Sequence, residues 1–136
     1  MEDFTGVIIE ESLKDLSILK SFEITATRVK AMEPGNKQPW LKQWTLHTVK
    51  VPAERAKLLT EELRPQLIER VLYKGAWRRD NWYADWRNAT HHYIIFPQKI
   101  FYVDRHRKEE YDEASTYGIS IGIPPQQVDF RQNVLS

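Results

Sequence analysis

The chain contains no cysteine, which excludes disulfide bonds and any thiolate-bound zinc. Glycine is scarce, at five in 136 residues, and the five form no loop able to cradle phosphates. Neither HExxH nor GxSxG occurs, so the signatures of the commonest zinc and serine hydrolases are missing. No cofactor motif is present and no cofactor is expected. Apolar runs such as residues 93–97 fall far short of the roughly 20 residues that cross a bilayer, so no membrane partner is expected. Met1-Glu2-Asp3-Phe4 lacks the basic start and apolar stretch of a secretory signal, and the expected location is cytoplasmic.

What remains is the composition of a folded domain. Hydrophobic residues make up 41% and charged residues 29%, enough apolar material for a core and too much for a disordered chain. The length predicts one domain over 1–136. A net charge of +1 demands neither nucleic acid nor membrane. The charge is unevenly spread, however. Residues 77–108 carry seven basic and three acidic side chains, together with Trp77, Trp82 and Trp86.

Residues 4–9 alternate weakly, end in β-branched side chains and are predicted as a strand. Residues 10–19 fit either an irregular connection or a short helix. In 22–32, Phe22, Ile24 and Ala26 share one face and Glu23, Thr25 and Thr27 the other, as in a second strand. Glu33-Pro34-Gly35-Asn36 marks a turn. A third strand is predicted over 44–51. Pro52 suits a helix start, and Ala56, Leu59, Leu63 and Leu67 recur at helical spacing, predicting a helix over 53–71 that Pro65 kinks or splits. Lys74-Gly75 closes that unit. Strands are predicted next at 82–87, 90–97 and 100–105, an aromatic, β-branched meander turning at Asn88-Ala89 and Gln98-Lys99. The first of these has a helical alternative, because Trp82 and Trp86 are four apart. A second helix is predicted over 107–117, stopped by Gly118, with an extended tail docking through Val128 and Phe130. The expected class is α+β: an antiparallel sheet in two three-stranded segments, with two helices packed on one face.

Pro39-Trp40-Leu41-Lys42-Gln43-Trp44-Thr45-Leu46-His47, Trp82-Tyr83-Ala84-Asp85 and Tyr117-Gly118-Ile119-Ser120-Ile121-Gly122-Ile123-Pro124 resemble a group of small uncharacterised prokaryotic proteins. The resemblance implies a stand-alone cytosolic domain. It carries no activity and no site residue.

If both meander turns are two-residue loops, Trp86 faces His91, Ala84 faces Tyr93 and Trp82 faces Ile95. On the next pairing Tyr93 faces Asp104, Ile95 faces Tyr102 and His91 faces His106. One side then carries Trp82, Trp86, Tyr93 and Tyr102, edged by His91 and Asp104. The other carries Tyr83, Ile94, Phe96, Phe101 and Val103, with Asp85, His92 and Arg105 at one end. The second side is the more aliphatic and is the expected core face.

The first side is the expected working surface of a non-catalytic binding or assembly domain. Trp82, Trp86, Tyr93, Tyr102, His91 and Arg105 would meet a protein partner or a second copy, because Trp and Tyr are enriched at interfaces. Single-stranded nucleic acid is the alternative on the same face, its bases stacked on the rings and its phosphates held by basic residues. Against both stands a structural reading, in which the tail or the N-terminal strands cover the rings.

A small His/Asp-dependent enzyme is a further alternative. Asp85 beside His92 suits general-base chemistry, because a carboxylate orients the ring and stabilises its charge. No serine or threonine is placed beside the pair, and a cross-strand ladder explains it as well. His91, His106 and Asp104 converge in the same register with the ligand types of a non-haem iron site, although Arg105 and Arg107 flank them. Arg78-Arg79 suits either a phosphate or a solvated pair.

Overall fold

In a computed structural model describing residues 1–136, β1 (Phe4–Ile9) lies inside a six-stranded antiparallel sheet. The other strands are β2 (Glu23–Ala31), β3 (Gln43–Val51), β6 (Ala84–Arg87), β7 (His91–Phe96) and β8 (Lys99–Asp104), in the order β2-β3-β1-β6-β7-β8. The α+β class and the antiparallel pairing are as expected. A separate two-stranded hairpin, β4 (Arg70–Tyr73) and β5 (Ala76–Arg79), stands outside the sheet.

β1 joins the two halves. It pairs with β3 through Phe4↔Val51 to Ile9↔Leu46, and with β6 through Thr5↔Arg87, Gly6↔Trp86 and Val7↔Asp85. Gly6 is required at this seam. A Cβ there would lie 2.0 Å from the Asp85 carbonyl oxygen and 2.7 Å from Trp86 Cα.

Pro65 acts as expected, and more sharply. The predicted 53–71 helix is reduced to α1 (Ala56–Leu63) between 3-10 turns at Ala53–Arg55 and Arg64–Gln66. The hairpin takes over the rest of that stretch. Lys74 (φ 49°) and Gly75 (φ 77°) both take the left-handed conformation of a tight two-residue turn, so they turn a strand instead of capping a helix. The second helix, α2 (Lys108–Ser120), runs through Gly118. That residue lacks a Cβ for packing: one would sit 2.9 Å from Val128 Cγ1 and 3.3 Å from the Phe96 ring. The terminating glycine is Gly122, at φ +94°.

The two helices, expected on one face, divide between both. On the first face α1 lays Ala56, Leu59 and Leu63 over Phe4, Ile8, Val49, Trp86 and Ile95. A 3-10 segment at Leu16–Ser21 adds Ile18 and Leu19. On the second face α2 sets Tyr111 and Ala114 against Ile94, Phe96 and Val103, and the tail adds Val128 and Phe130. The tail docks as expected, through 3-10 turns at Pro125–Gln127 and Phe130–Asn133. No helix is long and apolar enough to cross a membrane.

Candidate functional site

The expected aromatic working surface is covered. Trp86 has no exposed surface; its indole N–H donates to Thr60 Oγ1 at 3.1 Å and its ring lies 5.5 Å from Phe22. Trp82 is buried as well and donates to Asp80 Oδ2 at 3.0 Å. The physical reason is α1, whose apolar stripe needs a partner and finds it on this face. Only the far end of the row stays open. Tyr102 is 45% exposed and stacks on His91 at 4.8 Å, while Tyr93 is wedged between Phe4 and Tyr102. Arg105 lies on the opposite face, where its Nη1 donates to the Asn88 carbonyl at 2.7 Å. Of the six candidate residues, Trp82 and Trp86 are therefore buried, His91, Tyr93 and Tyr102 lie at the open end, and Arg105 stands on the second face where the alternation places it.

His91, His106 and Asp104 do not gather as metal ligands. The Asp104 carboxylate accepts the His106 backbone N–H at 2.9 Å, which holds its carboxyl below the ordinary range, and His91 stacks away on Tyr102. No group of three or more His, Asp or Glu side chains is placed to hold a metal ion.

The cluster at the end of the second face is assembled more tightly than expected. His92 is wholly buried. Its Nε2 lies 2.6 Å from Asp85 Oδ2 and its Nδ1 lies 2.9 Å from the Tyr111 hydroxyl. Burial raises the Tyr111 phenol above its ordinary pKa, with the Arg105 guanidinium working against that shift. The Asp85 carboxylate can only accept, so a ring proton on Nε2 points at it, and Nδ1 is left to the Tyr111 hydroxyl. The chain runs from Tyr111 through His92 to a carboxylate that is 35% exposed. Both His92 nitrogens are engaged, so the open end of this chain is Asp85 and not the histidine.

Asp85 opens onto a cleft of about 300 Å³. The cleft exists because α2 and the tail cover the second face only over β6, β7 and β8. Val7, Ile9, Trp44 and Leu46 continue the same face on β1 and β3 without a helix above them. Tyr83 and Gln127 form one wall, joined by a hydrogen bond from the Tyr83 hydroxyl to the Gln127 carbonyl at 2.6 Å. Burial, and secondarily Asp85, push the Tyr83 phenol far above its ordinary pKa, so it remains a donor. Gln38 stands on the other side. The Trp44 indole N–H is buried and finds no acceptor within the protein. The Asp85 carboxylate thus borders an apolar floor of Val7, Ile9, Trp44 and Leu46.

Asp80 fixes the near end of that hollow. Its carboxylate accepts from Gln38 Nε2 at 2.8 Å, Trp82 Nε1 at 3.0 Å and Trp40 Nε1 at 3.2 Å. Three side-chain donors satisfy one nearly buried carboxylate, tying residues 38–40 to the root of the hairpin.

No family model, curated protein or solved structure matches this chain. The Asp85–His92 pair was visible in the alternation of the meander. Trp44 and Tyr111 were not, because each reaches the site from an element distant in sequence.

Proposed function

We propose that the protein is a non-catalytic binding domain whose ligand is a small amphipathic amine held in the Asp85 cleft. The observation that carries this reading is the Asp85 carboxylate. It faces an apolar hollow, forms no ion pair with Lys or Arg, and is oriented from behind by a buried histidine. A cationic group would meet it there, because a carboxylate at an apolar boundary interacts with a cation more strongly than one in bulk water. An aromatic or aliphatic body would lie on Val7, Ile9, Trp44 and Leu46. Binding is favoured over catalysis because no serine or threonine lines the cleft and His92 has no free nitrogen.

The test uses phenethylamine and phenylacetate, which share a body and differ in charge, titrated into the protein by calorimetry. The amine is expected to bind saturably and the acid not to bind. Asp85→Asn keeps an acceptor for His92 and removes the charge. It should weaken the amine by about tenfold or more, as expected for a hydrogen bond to a charged group. Equal binding of the two probes, or no loss in the variant, would overturn the reading.

A further inference from the structure

The β4–β5 hairpin carries a second, independent feature. Pairing of Leu72 with Trp77 and of Arg70 with Arg79 puts these four side chains on one face of the ribbon. Trp77 is 61% exposed, the most exposed tryptophan of the molecule, and Leu72 beside it is exposed too. The Arg70 guanidinium lies over the Trp77 ring at 4.5 Å. On the other face the Arg78 guanidinium and the Lys74 ammonium approach the Tyr73 ring at 5.7 and 5.4 Å. The seven ion pairs of the protein all lie elsewhere, so these cations rest on rings and not on carboxylates. The root is rigid: the Asp80 backbone N–H donates to the Glu69 carbonyl at 2.9 Å, and the Trp82 N–H to the Ile68 carbonyl at 3.1 Å.

We propose that this hairpin binds single-stranded nucleic acid, with a base stacked on the open face of Trp77 and phosphates held by Arg70, Arg78 and Lys74. Four uncompensated cations within ten residues are the complement of a phosphate backbone. Any base presents a π-face to an exposed indole, and a guanidinium stacked on the far side of that ring extends the platform. A duplex would keep its bases out of reach of Trp77. A lipid surface fits less well, because the tip is Lys74-Gly75 and carries a charge where insertion needs an apolar wedge.

The experiment tracks the anisotropy of a fluorescein-labelled 15-residue oligouridylate titrated with the full chain at 50 and 200 mM salt. Three phosphate contacts predict a logarithmic salt slope of about −2, hence a loss of roughly 20-fold between the two conditions. Trp77→Ala should weaken binding about tenfold. Arg78→Ala should weaken it and reduce the salt slope by about 0.7. The double change Arg70→Glu with Arg78→Glu should abolish binding. The denaturation midpoint of each variant is measured alongside and should not move, because the hairpin lies outside both cores. No saturable binding at 50 mM salt would overturn the proposal. So would undiminished binding by the double variant, equal competition by polyglutamate, or binding to anionic phospholipid vesicles without binding to the oligonucleotide.

Discussion

The hairpin of β4 and β5 and the meander of β6 to β8 are adjacent in sequence and built from the same materials. Both mix tryptophan, tyrosine and arginine, and both turn on two-residue loops. The meander is covered on both faces at its centre, so that Trp86 has no exposed surface, while the hairpin leaves Trp77 open. The difference lies in what surrounds them. The meander has β1 on one side, α1 above and α2 below, each bringing an apolar stripe. The hairpin has four residues per strand and no helix; its Trp77 ring is met by the Arg70 guanidinium and its Tyr73 ring by Trp40. Aromatic content therefore says nothing about exposure until the covering element is known.

The sharpest way to break this comparison is to truncate one ring in each region. Trp86→Ala should cost about 3–5 kcal/mol, measured by urea unfolding, because a fully enclosed indole leaves a cavity. Trp77→Ala should change stability by no more than about 0.5 kcal/mol. Similar costs for the two would mean that Trp77 itself packs against another element. A smaller contrast tests the cover on the second face. Tyr111→Phe keeps the ring and removes only the donor to His92, and should cost about 1–2 kcal/mol, whereas Tyr102→Phe at the open end should cost almost nothing. The smallest effect concerns the latch between tail and α2. Hydrogen bonding from Arg131 lowers the Asp112 carboxyl below its ordinary value. A carboxyl depressed in the folded state adds stability above its unfolded pKa, near 4, and loses it as pH falls through the lower folded value. The melting temperature of Arg131→Ala should therefore sit slightly below that of the unaltered protein at pH 7. The two should converge as pH falls through that lower value, and a difference that stays constant from pH 7 into the acid range would exclude the linkage.

Much of the sheet was legible because alternation is a local property. β1 occupies its expected residues, and the paired side chains of β6, β7 and β8 lie on their expected sides, whereas Trp82 falls before β6 and packs on Trp44 beside the Asp85 cleft. The pairing itself is displaced. Trp86 faces Tyr93 and not His91, and Tyr93 faces Tyr102 and not Asp104. The first turn falls on Ala89-Thr90, because the Asn88 side chain accepts from the Thr90 and His91 backbone N–H groups, and the second falls on Pro97-Gln98. Moving a turn by one residue moves the pairing by two, and a shift of two leaves every side chain on its face. The candidate site was half legible for the same reason. Asp85 and His92 stand on neighbouring strands on one side, whereas Trp44 arrives from β3 and Tyr111 from α2.

By itself the sequence determined the six strands of the large sheet, the break at Pro65, the absence of disulfides and the sorting of side chains into two faces, because each is set by backbone geometry or residue chemistry within a few positions. The tertiary structure alone decided which face each helix covers and where the cover stops. Those outcomes depend on the path of the chain between elements, and a two-residue period cannot tell a face beneath a helix from a face beneath a cleft.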